Sequence, residues 1–241
     1  MATLFGSLGD TSQRLTGYLY DFKQTPGRQP TNVSNGQYVG ILRDFAASSW
    51  DENKLKKYFK VEQAIGCNQL FIPLIKSDMA PAAFRAEKFV KPLLWMVHYK
   101  GSFVAPAGGM YRFAGQGDNF LVVRLSQKNV FDGTLEGPLL GNVVREPIGA
   151  TADPKNRPMV AGEWFQLREG SSYPIEILIG DYGGFCSAFL LIQEKGKTYD
   201  LRHDGKNPVL PVFQLGPTEM PRYSPEKDAP TVSKTPFVCT E

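Results

Sequence analysis

From residue 95 to residue 194 apolar and polar positions alternate with a period of two, and Gly, Pro, Asn or Asp breaks the run every few residues. That pattern predicts short strands, because successive side chains on an extended backbone point to opposite faces. The segments are 95–99, 101–105, 109–114, 119–125 and 129–131, then 163–167 and 173–179. After the glycine-rich break GDYGG, the stretch CSAFLLIQEKG reads as one more core strand. A terminal hairpin is expected in YDLRHDGKNPVLPVFQL, with Asp204-Gly205 at its turn. Between 133 and 162 runs a long loop without periodicity, a length that compact domains usually reserve for function.

The first half is more mixed. Residues 17–22 predict a strand, 24–36 a turn-rich connection and 37–45 a second strand. SSWDENKLKKYF (48–59) predicts a short amphipathic helix: Ser48 or Ser49 as N-cap, acids in the first turn and lysines toward the C-terminal end, matching the helix dipole. CNQLFIPLI (67–75) predicts a strand at a sheet edge, since Pro73 has no N–H for a central ladder. Asp78 precedes a second helix over 80–87 with Pro81 in its first turn. From 216 onward, proline, charge and small polar residues predict an extended tail or linker. The expected fold class is mostly β: one antiparallel β-sandwich domain over 1–215, a short helical insertion at about 48–90, and a Pro-rich tail at 216–241.

Composition narrows the function more than the fold. Hydrophobic residues at 42% and aromatics at 12% suit a β core. The net charge of +3 is spread among interleaved acids and bases, with no basic stripe, so nucleic acid is not an expected partner. No apolar run approaches the ~20 residues of a membrane span, and MATLFGSLGD lacks the basic-then-apolar pattern of a leader. Cys67, Cys186 and Cys239 share no CxxC spacing and read as buried or tail thiols.

The two histidines are too far apart for a zinc site. His98 alternates opposite Val97 and Tyr99, and His203 stands before a turn, where it is expected to be exposed. None of the GxSxG, HExxH, Walker or GxGxxG motifs occurs in its required context. The acids nearest to turns in the β half are Asp118, Asp132, Asp153, Asp181 and Glu163. Nothing pairs any two of them as a hydrolase would require, so no catalytic residue is assigned and the chain is expected not to be an enzyme.

Asp118-Asn119 interrupts the alternation, and two readings stay open. The pair shapes a turn, through an Asp side chain accepting backbone amides, or it holds a ligand. The pieces KGSFVAPAGGMYRF, GQGDNFLVVRL, SQKNVFDG, FQLREGSSYPIEILI and GDYGGFCSAFLLI, in that order, resemble a PA14-type domain over about 95–194. That β-sandwich module is found in bacterial toxins, glycosidases and yeast adhesins.

The resemblance implies carbohydrate binding. In the adhesin branch an adjacent acidic pair holds calcium, and the ion's open positions take sugar hydroxyls, as its hard-oxygen chemistry allows. Asp118 and Asn119 match that pair, with an amide in place of the second acid, so they are the implied metal ligands. The opposing loop lacks the family's Asn and has Asp181 at its start, with Tyr182 and Phe185 placed to stack on a sugar or a partner. Tyr111, Phe113 and Phe120 lie at strand alternation and belong to the core.

The expectation is therefore a non-catalytic binding module for carbohydrate or cell-surface recognition, in a bacterial envelope or secreted protein. Its compartment would be extracellular, periplasmic or cell-surface. Its ligand residues would be Asp118, Asn119, Asp181, Tyr182 and Phe185, with calcium as cofactor. The alternative is a structural assembly domain with a protein partner and no small ligand, using the 50–89 segment and the tail as surface.

Overall fold

The computed structural model describes residues 2–9, 15–148 and 159–240. The chain opens with β1 (Ala2–Thr3), β2 (Gly6–Leu8) and β3 (Leu15–Asp21), then helix α1 (Asn35–Ala47) and a 3-10 turn at Glu52–Leu55. It returns to strand in β4 (Phe59–Lys60), β5 (Ile65–Cys67) and β6 (Phe71–Lys76), before the short helix α2 (Met79–Ala83). Then come β7 (Trp95–Val104), β8 (Gly109–Gly117), β9 (Phe120–Leu125), β10 (Lys128–Asp132), β11 (Glu146–Pro147) and β12 (Val160–Ala161). The last strands are β13 (Phe165–Leu167), β14 (Ser172–Asp181), β15 (Phe185–Glu194), β16 (Phe213–Leu215) and β17 (Phe237–Cys239).

Two antiparallel sheets face each other, which is the expected sandwich. The larger has the order β1-β2-β5-β3-β7-β14-β9-β10, with β4 added to β3; the smaller runs β11-β12-β8-β15-β6, with β13 added to β8. Alternate residues fill the space between: Trp95, Val97, Tyr99 and Phe103 of β7, and Ile175, Ile177 and Ile179 of β14, meet Tyr111 and Phe113 of β8 and Leu190 and Ile192 of β15. Each large side chain buried there stabilises the fold by roughly 1.5–3 kcal/mol.

The outer faces are also covered. Tyr38, Leu42 and Phe45 of α1, with Trp50, Leu55 and Tyr58, pack on Met96, Val122 and Leu178. Leu210, Val212 and Ala229 cover Phe71, Phe189 and Leu191 of the smaller sheet.

Several elements differ from expectation. Residues 37–45 are helix, because Tyr38, Leu42 and Phe45 recur at helical spacing and Ser34 with Gln37 forms a capping box. The expected helix over 48–59 is displaced: Ser48 is the C-cap of α1, Ser49 and Trp50 turn left-handed, and Asp51 caps the 3-10 turn by accepting from Asn53 N. The second helix ends at Ala83, and Asp78 at its cap position makes no side-chain cap bond. Segments 95–99 and 101–105 are one strand, β7.

Between 48 and 90 the chain contributes β4 and β5 to the larger sheet and β6 to the smaller one, so the segment is woven into both. β6, which carries Pro73, is an edge strand as its proline predicts. The expected terminal hairpin reduces to a turn at Asp204-Gly205 and a single bridge, Leu201 to Pro208. Beyond residue 215 the chain is extended, as its composition implies, yet it is laid against the sandwich. β17 pairs in parallel with β16, Leu74 N donates to the Asp228 carbonyl, and Ala229 and Cys239 are fully buried. All three cysteines are buried free thiols.

Candidate functional site

Two connections at one end of the sandwich cross from sheet to sheet. Asp118-Asn119 links β8 of the smaller sheet to β9 of the larger, and residues 182–184 link β14 of the larger to β15 of the smaller. The first crossing is tight: a Cβ on Gly117 would sit 2.5 Å from the Phe120 carbonyl oxygen, so glycine is required there.

The crossings are tied together by backbone groups. Tyr182 N donates to Asn119 Oδ1 at 2.7 Å, and Asp118 N donates to the Ser187 carbonyl at 2.8 Å. The sequence left two readings open for the Asp118-Asn119 pair, a turn and a ligand site. Neither residue is left-handed, and on the second crossing Asp181 accepts an amide two residues on, from Gly183 N at 3.2 Å. The Asn119 amide thereby braces one crossing against the other across the gap between the sheets.

Asp181 is the most deeply placed member, with no exposure to solvent. The Ser77 hydroxyl donates to its Oδ2, and Trp95 Nε1 donates to Ser77 Oγ at 3.0 Å. Ser77 N also donates to the Gly184 carbonyl at 3.1 Å, so the end of β6 clasps the 182–184 loop. Behind them Tyr38 OH donates to the Trp95 carbonyl at 2.5 Å, passing over Gly180 where any Cβ would block it. Burial pushes the Asp181 carboxyl up to about 7, and the nearby Asp118 charge adds to that, against the hydrogen bonds from Ser77 and Gly183.

Of the aromatics, Tyr182 is half-buried against Phe120 and donates its hydroxyl to Glu136. Burial and that carboxylate push the phenol up to about 12. Phe185 projects with 56% of its surface exposed. The five residues singled out from sequence therefore lie on the two neighbouring crossings. Ser77, Trp95, Tyr38 and Glu136, which brace them, carried no local sequence signal.

The polar side chains of the site are two carboxylates, Asp118 and Asp181, and the Asn119 amide, whose Oδ1 accepts from Tyr182 N. Gly183 lies between them, since a Cβ placed on it would be 3.7 Å from Asn119 Oδ1 and 3.8 Å from Asp181 Oδ1. Among the described residues no group of three or more His, Cys, Asp or Glu is placed to hold a metal ion. Any cation here would draw most of its oxygens from water, backbone or ligand.

The other acids considered from sequence have structural partners or lie elsewhere. Asp132 is buried and anchors the 133–145 loop by accepting from Thr134 N, Leu140 N and Arg145 Nη1. Glu163 pairs with Lys128. Asp153 lies outside the described residues. His98 is fully buried on the outer face of β7, opposite Val97 and Tyr99 as its alternation predicts, and His203 is exposed. No helix among the described residues is long and apolar enough to cross a membrane.

No family model and no curated protein matches the sequence. Among solved structures the chain is similar to the PA14 domain of the MpAFP antifreeze protein, at 14% identity over 77% of this chain and 84% of that one, with a TM-score of 0.45. It is also similar to the PA14 sugar-binding domain of an RTX adhesin, at 17% identity, 80% and 97% coverage and a TM-score of 0.44. A third likeness is to the A domain of epithelial adhesin 9 from Candida glabrata, solved with Galb1-4GlcNAc, at 15% identity, 80% and 89% coverage and a TM-score of 0.43.

Proposed function

We propose that the protein is a non-catalytic recognition module that binds a carbohydrate at the two sheet crossings, with Asp118, Asn119 and Asp181 as its polar contacts and Tyr182 and Phe185 as its aromatic ones. The observation that carries this reading is the convergence of two carboxylates and an amide with a projecting phenyl ring at one end of the sandwich. Sugar rings are taken by such pairings: hydroxyls go to carboxylate and amide oxygens, and the apolar ring face goes to an aromatic.

Calcium is the cation that suits the donor set, being a hard ion that prefers oxygens and tolerates few protein ligands. Asp118, Asn119 and Asp181 would hold it. Bound there, it would stabilise the charged Asp181 carboxylate, whose carboxyl burial and, to a lesser degree, the Asp118 charge push up, and present open positions to a diol. Asp181 is positioned by Ser77 and the Gly183 amide, and Asn119 by Tyr182 N, so the site is set before a ligand arrives. We place such a module on a cell surface or outside the cell, where carbohydrate partners are presented.

The test is a thermal-shift titration with calcium followed by a glycan array in calcium and in chelator. Calcium should raise the melting temperature of the wild type, Asp118→Ala should abolish the shift, and array binding should vanish in chelator. Absence of any calcium response sinks the metal reading. A blank array in both conditions sinks the carbohydrate reading.

A further inference from the structure

On the outer face of the larger sheet, an ammonium group stands over two aromatic rings without an anionic partner. Lys60 of β4 places Nζ 3.8 Å from the centre of the Tyr18 ring and 5.5 Å from that of Tyr20. Lys100 approaches the same Tyr18 ring at 5.2 Å, but its charge is answered by an ion pair with Glu52. Among the described residues Lys60 makes neither an ion pair nor a hydrogen bond through its side chain. A ring face offsets only part of a cation's lost hydration, about 0.5–1 kcal/mol at an exposed site, and leaves its N–H donors open. Partial burial holds the Lys60 ammonium below the usual lysine range, and the Lys100 charge adds to that against the pull of Glu52.

Lys60 lines a cleft of about 440 Å³ between β4 and the 3-10 turn, together with Pro26, Glu52, Lys56, Tyr58 and Phe59. That volume falls within the ~300–1,000 Å³ of small-ligand sites. Glu62 adds a second acid on the lining. With Glu52 already offset by Lys100, Lys56 and Lys60 outnumber the remaining carboxylate, so the local charge in the cleft is positive.

We propose that this cleft binds an oxyanion, a carboxylate, sulfate or phosphate carried on a body the size of one sugar ring, with Lys60 as its direct cationic contact and Lys56 beside it. A neutral ligand or water offers the exposed Lys60 ammonium only uncharged acceptors, whereas an oxyanion takes two or three of its donors in charge-assisted bonds. The cleft is separate from the crossings: Phe59, Asp21, Trp95 and Asp181 are register partners on four successive strands. The two sites therefore stand about 14 Å apart at ordinary strand spacing, and this inference does not rest on the carbohydrate reading above.

Calorimetric titration of the full chain with glucuronate, glucose 6-phosphate, inorganic sulfate and glucose tests it. Glucuronate or glucose 6-phosphate should bind saturably, sulfate should compete, and glucose should not bind in the cleft. Lys60→Met keeps the stem on Tyr18 and should weaken the anionic ligands at least tenfold. Lys60→Arg should retain them, which also guards against a folding defect, and Asp118→Ala should leave them unchanged. The proposal is overturned if Lys60→Met binds them as tightly as the wild type, or if no anion among the probes binds saturably.

Discussion

At the residue scale, the amide at position 119 and the hydroxyl at position 77 decide how the crossings behave. Asn119 gives Tyr182 N an acceptor without adding charge beside Asp118 and Asp181. Asn119→Asp would keep the acceptor but place a third carboxylate in the cluster. In chelator it should lower the melting temperature, and with calcium it should recover more than the wild type gains; paired thermal shifts check both. Ser77 both donates to Asp181 and accepts from Trp95 Nε1, and all three residues are buried. Ser77→Ala strands the indole N–H and removes a bond to a buried carboxyl, so it should cost ~1–3 kcal/mol, read as a fall in urea midpoint. A midpoint unchanged within error would show that water replaces the hydroxyl and that Ser77 does not position Asp181. From sequence the loop members of the site were legible because Asp, Asn, Gly and aromatics clustered at strand ends. The bracing was not, since Ser77 and Asp181 stand 104 residues apart and only the fold joins them.

At the element scale, the cap formed by α1 and the 3-10 turn is fastened to the sheet over a buried histidine. The His98 ring packs against Phe45 and Trp50, and Nε2 lies 2.9 Å from Glu176 Oε2, which is bonded in turn by Arg124. Glu52 stands 3.8 Å from Nδ1. Burial lowers the His98 pKa below its usual 6.5, and the two glutamates only partly restore it. The unfolded chain therefore takes up a proton near pH 6.5 while the folded one does not, so stability falls as the pH drops below 6.5 toward the folded pKa. The slope in that window is at most about 1.4 kcal/mol per pH unit. Urea midpoints between pH 7 and 5 should fall more steeply for the wild type than for His98→Gln, and parallel slopes would remove His98 from the account.

The cap is also where the sequence misled. In QYVGILRDF both faces offer apolar residues, and the pattern alone predicts a strand. The helical spacing of Tyr38, Leu42 and Phe45 became decisive only once a sheet lay beneath them. The strands of the second half were easier, because alternation there is enforced by the space between the sheets.

At the scale of the whole molecule, the sandwich covers its own outer faces, one with α1 and its neighbours, the other with the segment after β15. This explains why strands such as β15 read as nearly continuous apolar runs: a strand buried on both faces has no polar face to show. It also bears on 216–241, which composition alone describes as an extended tail or linker. Proline and small polar residues leave β17 as a short strand in an otherwise extended segment, yet Ala229 and Cys239 are buried and Leu74 of the edge strand β6 is paired with Asp228. The segment thus acts as an edge cover, one of the ways proteins protect unpaired strand edges. Ala229→Asp would force a charge into the seam under Phe71 and Leu191, costing several kcal/mol unless the segment detaches. Limited proteolysis separates a cover from a linker. The wild-type segment should resist a protease that cleaves exposed lysines and arginines, while Ala229→Asp should be cut first at Arg222, Lys227 or Lys234. Rapid cleavage at those sites in both proteins would mean that the segment does not stay on the sheet, and that the smaller sheet keeps its outer face by other means.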